Sequence, residues 1–169
     1  MYDEIDECLR QCDGPRAYQL IKELQDKGRT SNGELEYRLA QACYILSNFC
    51  LSDKNERYLL LEEAYLSCKS ARKREVTNDE VSKWSAIVTG ALIELDDLTD
   101  SEQVFYVKEF KEYLDEALAG PPDPSVYHMN GRFCYRVRHI HSFLDWKVHL
   151  CECELNASLT WKQPDVPDL

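Results

Sequence analysis

Positive charge is what this 169-residue chain has least of: Lys and Arg number 20 against 31 Asp and Glu, a formal net charge of −11. A deficit of that size excludes non-specific nucleic-acid binding and adhesion to anionic membranes, since both need a positive field. No run approaches the roughly 20 apolar residues of a membrane-spanning helix. The opening residues, Met1 to Glu7, are acidic and lack the basic-then-apolar order of a signal peptide, so a cytosolic chain is expected. There is no convincing period-two alternation, no phosphate-cradling glycine loop and no nucleophile signature around any cysteine. Carboxylate pairs such as Glu62-Glu63 and Asp96-Asp97 read as solvated helix faces rather than acid–base machinery. A non-enzymatic protein that needs no cofactor is expected.

What is present is helical. Hydrophobic residues make up 44% of the chain, enough for an ordered core. Ile5, Cys8, Leu9 and Cys12 recur at helical spacing, then Gly14-Pro15 breaks the chain and Ala17, Leu20, Ile21 and Leu24 resume it up to Gly28. A third helix is predicted over Glu34–Phe49 and a fourth over Lys54–Arg74, whose basic last turn suits the negative end of the helix dipole. Thr77 or Asn78 is positioned to cap a fifth, with Trp84, Ile87, Val88, Ala91 and Leu92 on a wide apolar face. A sixth follows Asp100-Ser101, a seventh begins near Pro124, and an eighth is expected over Ser142–Leu155. Paired in order, these elements predict an all-α, tetratricopeptide-like α-solenoid of antiparallel helix hairpins. Residues 1–155 would form one domain and residues 156–169 an irregular tail. Trp84, Leu114, Ala117 and Gly131 are expected to be buried at contacts between hairpins, with Gly131 as the close-packing small residue.

Eight cysteines sit within helical patterns such as Cys43, Cys68 and Cys134, where thiols act as small hydrophobes, so no disulfide framework is expected. His149, Cys151 and Cys153 crowd three possible zinc ligands together. Residues two apart on a helix point in different directions, however, so no metal site is expected. Two basic clusters survive on the acidic chain and supply the partner-binding candidates. One is Lys69, Arg72, Lys73 and Arg74; the other is Arg132, Tyr135 and Arg136, spaced to share a helix face. Arg38 and Gln41 are candidates for the corresponding face of an earlier hairpin.

Several phrases, in order, resemble the regulator of microtubule dynamics family: Glu34-Leu35-Glu36-Tyr37-Arg38-Leu39, Tyr58-Leu59-Leu60-Leu61-Glu62-Glu63-Ala64, and Lys83-Trp84-Ser85-Ala86. They continue with Phe110-Lys111-Glu112-Tyr113-Leu114-Asp115-Glu116 and Met129-Asn130-Gly131-Arg132-Phe133-Cys134-Tyr135. The likeness covers about Tyr2 to Val148. It implies a tetratricopeptide-like adaptor that associates with microtubules and the mitotic spindle in the cytoplasm and acts in chromosome segregation. The expected partners are tubulin or spindle proteins. The alternative is a helical-repeat module of the organelle-tethering type, holding a lipid or peptide tail, with Tyr37, Tyr44, Phe105, Phe110 and Phe133 available to line a cavity.

Overall fold

A computed structural model describes residues 2–27, 32–74, 78–95 and 98–140, with side chains up to Tyr135. Seven α-helices and no strand occur among the described residues: α1 (Asp3–Arg10), α2 (Gly14–Asp26), α3 (Gly33–Ile45), α4 (Lys54–Lys73), α5 (Asp79–Ile93), α6 (Asp100–Ala119) and α7 (Pro124–Ile140). The chain divides into two compact units, Met1–Met129 and Asn130–Leu169. The eighth helix expected over 142–155 and the tail over 156–169 lie outside the described residues.

Short polar side chains start most of these helices. Asp13, Asn32, Asp53 and Asn78 each accept a hydrogen bond from a backbone N–H in the first turn that follows, at 2.9–3.1 Å. Thr99 and Glu102 cap α6 reciprocally, each side chain reaching the other's backbone N–H. Between α3 and α4 the chain adds a π-helical turn over Leu46–Cys50. Its end is satisfied by side chains: Ser47 and Asn48 both donate to the Tyr44 carbonyl, and Arg57 donates to that of Ser47.

Within Met1–Met129, consecutive helices pack side by side as antiparallel pairs. The pairs α3–α4 and α5–α6 are the most extensive, and α1 touches α3 as α3 touches α5. The helices α1, α3 and α5 therefore touch in succession, with α2 packed against α1 and α3, and α4 against α3 and α5. Ile5, Leu9, Ile21, Leu35, Leu39 and Cys43 fill the first core with almost no exposure. Leu61, Leu92 and Leu114 are fully buried further along.

Of the four residues expected at contacts between hairpins, Leu114 and Ala117 are buried and Trp84 is half-buried, its ring centroid 5.8 Å from that of Tyr44. Gly131 is different. It is exposed, and a Cβ built there would meet nothing within 4 Å. The reason is helical phase: Gly131 lies on the stripe of α7 that carries Pro124, Tyr127 and His128, all exposed. The close approaches occur elsewhere. A Cβ on Gly14 would sit 2.8 Å from Ile45 Cγ2, and one on Gly90 would sit 3.0 Å from Phe110 Cε2.

Candidate functional site

Two carboxylates clasp the even helices together. Tyr18 and Lys22, one turn apart on α2, both donate to Glu63 on α4, at 2.9 and 2.5 Å. Tyr65 and Lys69, one turn apart on α4, both donate to Glu109 on α6, each at 2.5 Å. In each clasp the ammonium also lies over the tyrosine ring, 5.1 Å from its centroid in the first and 5.6 Å in the second. Sequence separations match as well: 45 and 41 residues in the first clasp, 44 and 40 in the second. The clasp is a structural repeat. Its tyrosines titrate above their ordinary range, through burial first and then the hydrogen bond to the carboxylate.

Beside the first clasp, α2, α3 and α4 border a shallow cleft of about 410 Å³ that is largely open to solvent. Leu39 and Glu36 of α3 line it from below, Leu59, Glu62 and Leu66 of α4 from one side, and Gln25 of α2 from the other. Leu59 is 62% exposed and Leu66 60%, an unusual proportion for leucines two turns apart on one helix. Glu36 is 8% exposed. Burial pushes its carboxyl up, against the opposing effects of Arg74 and of hydrogen bonds from Ser70 and Ser67.

The candidate cations fare unequally. Arg38 is held between the rings of Tyr2 and Tyr37, 4.7 Å from each, and donates to Asp6 on α1 and Glu34 on its own helix. Its side chain is 11% exposed. Gln41 is half-buried on the same helix. Lys69 is engaged in the second clasp. Arg72 makes a two-pronged contact with Glu116 of α6, both bonds 2.7 Å, and stacks 4.3 Å from the Tyr113 ring. Lys73 and Arg74 are exposed. Arg132 and Tyr135 are exposed on α7 in the second unit; Arg136 continues that helix, its side chain outside the described residues. The structure thus separates the first cluster into two residues bound to α6 and two facing solvent.

The expected aromatic lining does not converge either. Tyr37 is buried against Ala71 and Val81, Phe110 lies under Gly90, Tyr44 meets Trp84, and Phe105 is half exposed. Cys8, Cys12, Cys43, Cys50, Cys68 and Cys134 are free thiols, and burial pushes Cys68 up to about 12. No group of His, Cys, Asp or Glu among the described residues is arranged to hold a metal, and the His149, Cys151 and Cys153 set lies outside them. No described helix is long and apolar enough to cross a membrane.

Sequence reasoning missed both the clasps and the cleft. The available signal was Tyr-x-x-x-Lys occurring at Tyr18-Lys22 and again at Tyr65-Lys69.

The family model for regulator of microtubule dynamics protein 1-3 matches residues 1–145. Regulator of microtubule dynamics protein 3 of Xenopus laevis is 30% identical over 110 residues, 63% of this chain and 23% of that protein. Regulator of microtubule dynamics protein 1 of Mus musculus is 25% identical over 140 residues, 78% of this chain and 44% of that protein. Regulator of microtubule dynamics protein 2 of Homo sapiens is 27% identical over 149 residues, 88% of this chain and 33% of that protein. The matched region spans less than half the length of each of these relatives. No solved structure matches the chain.

Proposed function

The chain belongs to the regulator of microtubule dynamics family, and on that footing we propose that it acts in microtubule dynamics as a non-enzymatic adaptor. It works by protein–protein binding through a tetratricopeptide-like array of helical hairpins, with the spindle and chromosome segregation as its setting. The observation that carries the mechanism is the internal use of its cations. Lys22, Arg38, Lys69, Arg72 and Lys83 all bind acids of neighbouring elements. Of the Lys69 to Arg74 cluster, Lys73 and Arg74 remain as the exposed cations. The microtubule surface is acidic, and a chain at −11 has no net attraction to it, so direct binding would need a basic patch within a Debye length of ~8 Å. Association bridged by a second protein fits this charge balance better than direct contact does.

Co-sedimentation tests this directly. Purified chain should pellet weakly with bare microtubules and strongly once cell extract is added. Lys73→Glu with Arg74→Glu should leave the extract-dependent fraction intact. Strong pelleting with bare microtubules that this double variant abolishes would replace the bridge with direct contact. A tightly held lipid found by mass spectrometry of the purified protein would favour the tethering alternative.

A further inference from the structure

We propose that the cleft between α2, α3 and α4 is the docking groove for a basic amphipathic helix of a partner protein. The proposal rests on the adaptor reading and names the chemistry of the bridging partner. Leu59 and Leu66 are both more than half exposed and stand seven residues apart on α4, about 10.5 Å along its axis. That is two turns, the repeat of a single apolar stripe on an opposing helix. Between them stands Glu62, exposed, and Glu36 lies below. The one cation lining the cleft, Lys22, is engaged by Glu63 at 2.5 Å. The walls therefore offer apolar contact and the exposed carboxylate of Glu62. A segment with leucine-like anchors and flanking Lys or Arg complements both, while an acidic or anionic-lipid ligand meets repulsion. An extended peptide gains little, because the lining elements are helices whose backbone groups are bonded internally and offer no edge to pair with.

The test uses the full chain and a fluorescent synthetic helical peptide with leucines at i, i+3 and i+7 and lysines beside them. Two control peptides replace the lysines by glutamate or the leucines by serine. Fluorescence anisotropy should show saturable binding of the first peptide and at least tenfold weaker binding of both controls. Glu62→Lys and Leu66→Ser, both at exposed positions, should each weaken binding about tenfold while circular dichroism stays unchanged. Glu112→Lys on α6 makes the same charge change away from the groove and should alter binding less than threefold. Equal binding of the lysine and glutamate peptides, equal effects of Glu62→Lys and Glu112→Lys, or no saturable binding would each overturn the proposal. Saturable uptake of anionic vesicles blocked by Leu66→Ser would overturn it in favour of a lipid. The adaptor reading stands or falls separately: extract-dependent microtubule pelleting that persists without peptide binding refutes the groove alone, and the converse refutes the microtubule role alone.

Discussion

The α2–α4 seam and the α4–α6 seam share one clasp and differ in everything around it. Four residues after Glu63 stands Ser67; four after Glu109 stands Tyr113. Seven after each stand Ser70 and Glu116, and three after Lys22 and Lys69 stand Gln25 and Arg72. The second seam is thus closed by a rung that the first lacks: Arg72 bonded to Glu116 and stacked on Tyr113. With two serines and a glutamine in those places, the first seam opens into the cleft. The outer face follows suit, Leu59, Glu62 and Leu66 in one repeat against Phe105, Lys108 and Glu112 in the next. The difference teaches that the same clasp can sit in a seam closed by a further rung or in one that opens into a cleft.

The comparison breaks most severely if backbone approach, not the clasp, is what holds α2 in place. Gly14→Leu should cost about 3 kcal/mol by overpacking, because Ile45 Cγ2 and the Leu46 backbone nitrogen leave no room. Gly131→Leu should leave the melting temperature unchanged. Equal melting shifts for the two would show that Gly14 is not a close approach.

Clasp removal comes next. Glu109→Ala should cost about 2 kcal/mol and Glu63→Ala about 1 kcal/mol in urea denaturation. Glu109 is the less exposed carboxylate, at 14% against 30%, and it leaves Lys69 and Tyr65 beneath the Arg72 rung. A reversed order would mean that the cleft, rather than the extra rung, sets the strength of a seam.

Giving the first seam a cation sharpens the contrast. Gln25→Arg should stabilise by about 0.5 kcal/mol and weaken the lysine-rich peptide, since its guanidinium would compete for the acids of the cleft. A tighter peptide complex would contradict the charge argument.

The smallest effects are those of pH. Glu116 is held below its ordinary value of 4.5, by the Arg72 hydrogen bond first, so its contribution is present above that value and is lost as pH falls through the lower folded one. Glu36 is raised, by burial first, so its charge costs stability at neutral pH, and that cost vanishes as pH drops below 4.5. Glu36→Gln should therefore raise the melting temperature near pH 7 and match the wild type in acid. Glu116→Gln should do the reverse, lowering it near neutrality and converging in acid.

Much of this fold was legible in the sequence because its signals are local. Asn78, Asp100 and Pro124 mark helix starts within a turn, and the apolar spacing of Leu35, Leu39 and Cys43 finds the core face of α3. The site was hidden because it is made of residues 40 or more positions apart. Glu62 and Glu63 look alike in sequence, yet adjacent helical positions point about 100° apart. One lies on the outer stripe and the other in the seam. The ion pairs of Arg38 and Arg72 were hidden for the same reason: an arginine on a helix announces its charge, not the acid that a neighbouring helix brings to it. The π turn at Leu46–Cys50 was absorbed into one long helix because its residues keep an apolar pattern while shifting phase.

The two clasps also have a mechanical meaning. Tension applied from α2 toward α6 is carried by α3 and α5, which pack on the even helices to either side, with Glu63 and Glu109 as the direct links across the two seams. With one rung against two, the α2–α4 seam yields first, and it is the seam that carries the cleft. Pulling on the protein would thus deform its docking groove before it loosened anything else along that line, coupling what the groove holds to the force the helices transmit.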